Sequence, residues 1–168
     1  MDYKKILRNT KDKNKLKVTL KNTKEKGVGL FARETIKKGE VIAYYKVRIF
    51  LHRTYESSTD NVYIFEIYRK NGEAYKKLIG DIEPDDIPKP INHITFWAPF
   101  ANEPSSHQKT NAEIDINLEG NYVNKTYSSP GESAIYKLIA SRMIRPDEEI
   151  LWYYGERYTR NYLVGKEM

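Results

Sequence analysis

Tyrosine is the chemically versatile side chain in best supply here, with 14 copies against 2 tryptophans and 5 phenylalanines. Each joins an apolar wall to a hydroxyl that can orient a polar group. A second candidate is the run Gly27-Val28-Gly29. Without side chains its backbone can approach a bound molecule closely and offer N–H and C=O groups, although a plain hairpin loop is the other reading. A third is the acidic set Asp81, Glu83, Asp85 and Asp86, which reads either as a solvated loop or as a groove for a basic peptide. Other chemistries are excluded. With no cysteine there is no disulfide, no thiolate-bound zinc and no thiol nucleophile. His52, His93 and His107 are far apart and lack metal-ligand spacing, so they read as surface or loop histidines.

The elements that must position these residues are mostly strands. Leu16 to Leu20 alternates apolar and polar with period two. Gly29 to Arg33 and Glu40 to Phe50 follow, separated by the turn Lys37-Lys38-Gly39. Val62 to Ile67 and Ala74 to Ile79 flank Asn71-Gly72, a hairpin signal. Residues 81–90 read as a loop. Glu113 to Leu118, Tyr122 to Tyr127, Ile135 to Met143 and Glu149 to Tyr154 are further strands, the middle two joined by a turn at 128–131, and Arg157 to Leu163 suits a short helix. No internal repeat is visible, and no strand–helix alternation, which argues against a doubly wound fold. The length suits one domain. Its leading part is basic: residues 1–26 hold ten Lys or Arg and three acids, about +7, against +6 for the whole chain. The expected organisation is a basic segment over 1–25 and the domain body over 26–168. The basic segment can contact nucleic acid, though solvation is the commoner fate of such runs. No run of about 18 apolar residues exists, and Met1 to Lys5 lacks the apolar core of a signal peptide, so a non-membrane, intracellular protein is expected, nuclear or cytoplasmic.

Three segments in the right order resemble the SET family. Lys26-Gly27-Val28-Gly29-Leu30-Phe31-Ala32-Arg33 with Ile36 to Ile42 is similar to the opening G-x-G block and its "kkGe" turn. Trp97-Ala98-Pro99-Phe100-Ala101-Asn102-Glu103-Pro104, with Asn111 downstream, resembles the R-F-x-N-H-S-C-x-P-N block. Glu103 stands where the family has histidine, and the cysteine is absent; the W-x-x-[FY]-x-N spacing is closer to the PR/SET branch. Ile144 to Tyr158 is similar to the closing "i-x-p-G-E-E-L-x-x-x-Y-G", and closer still to the PR/SET form "E-L-L-V-W-Y-G-D-E-Y". Tyr63 to Ile67 with Ile79-Gly80-Asp81 resembles the middle strands of PR/SET domains.

The resemblance implies a mainly β fold of several small curved sheets with few short helices and a C-terminal pseudoknot. It implies methyl transfer from S-adenosylmethionine to a protein lysine, with a histone or other basic tail in chromatin as the usual target, and no zinc. Deprotonating a free lysine at pH 7 costs roughly 4.6 kcal/mol, which a desolvating tyrosine channel reduces. By resemblance Tyr154 is the catalytic tyrosine, with Tyr44 or Tyr45 as its channel partner. Lys26, Gly27, Val28, Gly29, Phe100, Asn102 and Glu103 take the cofactor side, and Tyr158 or Tyr162 stacks on adenine or closes the channel. Tyr153 and Ile114 line the substrate channel, and an aliphatic at Ile114 leaves room for higher methylation. Glu103 also keeps open the alternative of a catalytically inactive PR/SET-like interaction module.

Overall fold

The computed structural model describes residues 2–51, 56, 63, 65–68, 74–83, 87–115, 131, 133–154 and 164–165. A short helix, α1 (Tyr3–Asn9), comes first, capped by the Asp2 carboxylate, which accepts the N–H groups of Lys4 (3.0 Å) and Lys5 (3.2 Å). A two-stranded ribbon follows, β1 (Val18–Asn22) antiparallel to β2 (Val28–Ala32). The main sheet comprises β3 (Val41–Leu51), β4 (Phe65–Tyr68), β5 (Ala74–Asp81), β6 (Ala112–Asp115) and β7 (Ser133–Ala140). Its order is β4-β5-β3-β7-β6, with every neighbour antiparallel. The strands form where period-two patterning allows one face to be buried. In β7, Ala134, Tyr136, Leu138 and Ala140 point inward, and in β3 so do Ala43, Tyr45, Val47 and Ile49. An extra residue on β3, Ile42, opposes no partner of its own, so Ile42 and Ala43 both reach the core. The basic leading segment joins that core through Leu16, Val18 and Leu20, while Tyr3, Ile6 and Leu7 of α1 pack on its margin.

A repeat invisible in the linear sequence emerges from the pairing. Residues 32–42 and 140–150 fold alike and face each other. Ile36 and Ile144 exchange both backbone hydrogen bonds at 2.8 Å. Gly39 N–H donates to Ala140 O and Ala140 N–H to Glu40 O; correspondingly, Asp147 N–H donates to Ala32 O and Ala32 N–H to Glu148 O. Ala32, Ile36 and Ile42 match Ala140, Ile144 and Ile150, and all six are buried. Each copy turns through a type II geometry, with Gly39 (φ 88°) or Asp147 (φ 70°) at the position that requires positive φ. Only the core-filling residues and the glutamate after the turn are kept, because the exposed positions face no common constraint.

The expected last strand, Glu149 to Tyr154, is not a rung of any ladder. Its bonds go to different partners in succession: Ile150 N–H to Leu30 O (2.7 Å), Trp152 N–H to Asn102 O (3.1 Å), and Leu151 O from the N–H groups of Asn111 (3.0 Å) and Ala112 (3.1 Å). The 102–111 loop thus clasps it from both ends, which is the C-terminal pseudoknot. The Asn71-Gly72 turn, the strand at 122–127, residues 128–130, the helix at 157–163, and with them Tyr158 and Tyr162, lie outside the described residues. Among the described residues no helix is long and apolar enough to cross a membrane, and no group of three or more His, Asp or Glu could hold a metal ion.

Candidate functional site

The link from β1 to β2 is pinned by Thr23, whose N–H and hydroxyl both donate to Gly27 O (2.7 Å each) and whose hydroxyl accepts Lys26 N–H (2.8 Å). Gly29 is buried directly beyond it. A Cβ there would lie 2.9 Å from Glu149 Oε1 and 3.2 Å from Asn102 Nδ2, so only glycine lets this strand come so close. Asn102 Nδ2 donates to Val28 O (3.0 Å) and to Glu149 Oε1 (3.1 Å). Lys26 Nζ reaches across to Glu149 Oε2 (3.1 Å), Gln108 Oε1 (3.0 Å) and Glu103 O (3.2 Å). One carboxylate, 11% exposed, therefore gathers the lysine before the glycine turn and the asparagine of the loop.

The clasp continues from that carboxylate. The Asn111 amide imitates a peptide: Nδ2 donates to Glu149 O (2.9 Å) and Oδ1 accepts Leu151 N–H (2.8 Å). Glu103 is buried, and its Oε2 accepts Tyr154 N–H (2.8 Å). The Tyr154 hydroxyl turns back to donate to Ala101 O (2.7 Å), the residue before Asn102. Beside it runs an aromatic row. The rings of Tyr154 and Trp152 lie 4.8 Å apart, and Tyr45 meets Trp152 edge-on at 6.3 Å. The Tyr45 hydroxyl donates to Tyr63 O (3.2 Å). At the far end of the loop, Gly165 N–H donates to Pro104 O (3.0 Å).

The structure thus brings together Lys26, Gly27, Val28, Gly29, Asn102, Glu103 and Tyr154, with Tyr45 on the aromatic side. It separates the two tyrosines of β3: Tyr45 faces inward toward Trp152, while Tyr44 faces outward against Phe96 (5.1 Å). Phe100 is a core residue on the short 3-10 turn Ala98–Phe100. Ile114 is half-buried on β6 opposite Leu138, and Tyr153 is half-buried. Sequence reasoning missed Glu149, Gln108 and Ala101. Glu149 had a sequence signal in the second glutamate of the Glu148-Glu149 pair; Gln108 falls between the 97–104 block and Asn111, where no motif position lies, and a backbone carbonyl leaves no trace in residue type. The acidic groove needs correction. Asp81 is buried with its carboxylate on Ile82 N–H (2.9 Å), so it lines no groove. Glu83 is part-exposed, pairs with Arg48 and borders a cleft with Phe96 and Pro99, while Asp85 and Asp86 lie outside the described residues.

The family model of the SET domain matches residues 27–155. In structure the chain is similar to a Plasmodium falciparum protein provisionally assigned as a histone methyltransferase. The two share 17% identity at a TM-score of 0.54, over 85% of this chain and 96% of that one, a likeness of fold. No curated protein matches the chain by sequence.

Proposed function

The chain belongs to the SET-domain family, whose members are in general protein-lysine methyltransferases, and from that premise we propose that it is an S-adenosylmethionine-dependent lysine N-methyltransferase of PR/SET-like pattern acting on a histone or another basic protein tail. One observation carries the reading. The Tyr154 hydroxyl sits on Ala101 O (2.7 Å) while the adjacent Asn102 reaches Val28 O in the glycine segment (3.0 Å). Donor and acceptor ends of a transfer site then lie on neighbouring residues.

S-adenosylmethionine supplies, when bound, an electrophilic methyl group on a sulfonium. Its amino-acid end is a zwitterion, and the residues present suit it: Lys26 offers a cation, Glu149 a carboxylate and Asn102 an amide in one hydrogen-bonded set. On the other side, Tyr45, Trp152 and Tyr154 remove water from the lysine ammonium. Burial among rings disfavours the charged form and favours the neutral amine. The Tyr154 hydroxyl orients that amine, and alignment supplies much of the remaining rate. Glu103, in place of the family's histidine, holds the backbone of Tyr154. Ile114 leaves space for more than one methyl group.

The test pairs labelled cofactor with a mixed protein extract, beside calorimetry of the cofactor alone. Wild type should label a protein band and give saturable heat. Tyr154→Phe should lose at least about 100-fold in labelling with an unchanged circular dichroism spectrum. Absence of both heat and labelling would leave an inactive interaction module.

A further inference from the structure

We propose that the basic leading segment is a rigid docking face for the phosphodiester backbone of nucleic acid, separate from the methyl-transfer site and independent of that reading. Charge is segregated in this chain: residues 1–26 carry about +7, so the rest is near −1. The segment is also built into the fold. α1 rests on the core through Tyr3, Ile6 and Leu7; Leu16, Val18 and Leu20 are buried; and the Arg33 guanidinium donates to the carbonyls of Lys13 and Leu16. A lysine-rich tail free to move would lose entropy on binding, whereas a docked one has already lost it.

The cations sort into two sets. Lys17, Lys21 and Lys26 pair with Glu40, Asp147 and Glu149. Lys4, Lys5, Arg8, Lys11, Lys13, Lys15 and Lys24 are exposed and make no ion pair among the described residues, the first six of them within residues 4–15. Of the three acids in the segment, Asp2 is engaged as the cap of α1, while Asp12 and Glu25 are exposed and are already counted in the net +7. Six like charges on one stretch repel one another, and an anionic partner relieves that repulsion.

The partner's class follows from what accompanies the charges. The exposed large hydrophobics among the described residues are Leu51, Ile91 and Met143, none of them in this segment. A membrane-surface helix needs an outward apolar face, but the apolar residues of α1 face inward. A protein interface needs buried aromatic or aliphatic anchors, and none is offered. A repeating phosphate array needs only cations. A basic substrate tail would be repelled here, so this face is not where the methyl-transfer substrate docks.

The test is fluorescence anisotropy of a labelled duplex DNA titrated with the full chain, at salt from about 50 to about 200 mM. Saturable binding with a steep log–log salt slope is expected. K4Q/K5Q/R8Q and K11Q/K13Q/K15Q should each lower that slope by about three and weaken binding about tenfold or more. K89Q/R145Q, on the body, should leave it unchanged. A single-stranded RNA arm separates the two sources of the same chemistry. Equal slopes assign the face to phosphodiester in general, and a steeper slope with one assigns it to that one. No saturable binding at the lowest salt overturns the proposal. So do unchanged slopes in both triple variants, or tighter binding to phosphatidylserine vesicles or a polyglutamate peptide.

Discussion

Glu149 is the residue on which the two halves of the site lean, because its two oxygens serve Lys26 and Asn102 separately. Removing it leaves a mostly buried ammonium facing only neutral acceptors. Glu149→Ala should therefore cost about 3 kcal/mol of stability in urea unfolding. Glu149→Gln keeps the bond to one partner and should cost less, about 1 kcal/mol, yet weaken cofactor binding in calorimetry; unchanged binding would remove Lys26 and Glu149 from the cofactor site. Much of the site is legible at this scale. Lys26, Gly29, Asn102 and Tyr154 follow from motif order, since close backbone approach demands glycine and the proposed lysine channel would demand a ring with a hydroxyl. Glu103 stands out as a departure from pattern, but its bond to Tyr154 N–H does not. A carboxylate that accepts from a backbone looks the same in sequence as one that faces water.

The two matching turns place like residues in unlike chemical situations. Gly39 takes φ 88° freely, whereas Asp147 takes φ 70° against its own Cβ. Asp147→Gly relieves about 1 to 2 kcal/mol of left-handed strain and adds about 0.5 to 1 kcal/mol of unfolded-chain entropy. A net gain of about 0.5 to 1 kcal/mol is expected, read as a higher urea midpoint with unchanged slope. The exposed ion pair between Asp147 and Lys21 disappears in this variant, and being weak it subtracts little. The other turn carries a pH signature. The hydrogen bond from Lys17 holds the Glu40 carboxyl below the usual carboxylate range, helped by the Lys37 N–H. A depressed folded-state value means the stabilisation is complete above the usual glutamate range. It is lost as pH falls through the lower folded value. Glu40→Gln should flatten that part of the acid limb: the variant is modestly less stable than wild type at neutral pH and converges on it below the folded value, read from urea midpoints across the acid range. The turns themselves are legible from Lys-Lys-Gly and Pro-Asp. Their equivalence is not, because it lives in paired backbones and in three buried positions per copy.

At the scale of the whole molecule, the order of strands along the chain says little about which strands meet. The alternating runs predict most strands, yet their partners are distant: β3 lies between β5 and β7, and the 32–42 stretch closes on 140–150. Pairing of this kind depends on which apolar faces fit, and a single sequence read locally does not contain that comparison. The final segment shows the same limit. Its apolar pattern predicts a strand, while its bonds are shared among β2, Asn102 and Asn111 because it fills a gap between elements already formed. Such long-range closure must wait for its loops, so refolding should fall in the slow range of mainly β domains, milliseconds to seconds. Cooperativity follows from the same geometry. A chain ending at Ser141 loses the partners of Ile36 and Leu30 and uncovers residues buried by Ile144 and Ile150. It should show no cooperative urea transition by circular dichroism or tryptophan fluorescence, whereas the full chain shows one transition coincident in both. A truncated chain that melted cooperatively would mean that the main sheet is a folding unit without the clasp, and the strand that carries Tyr154 would then be an addition to the core instead of a part of it.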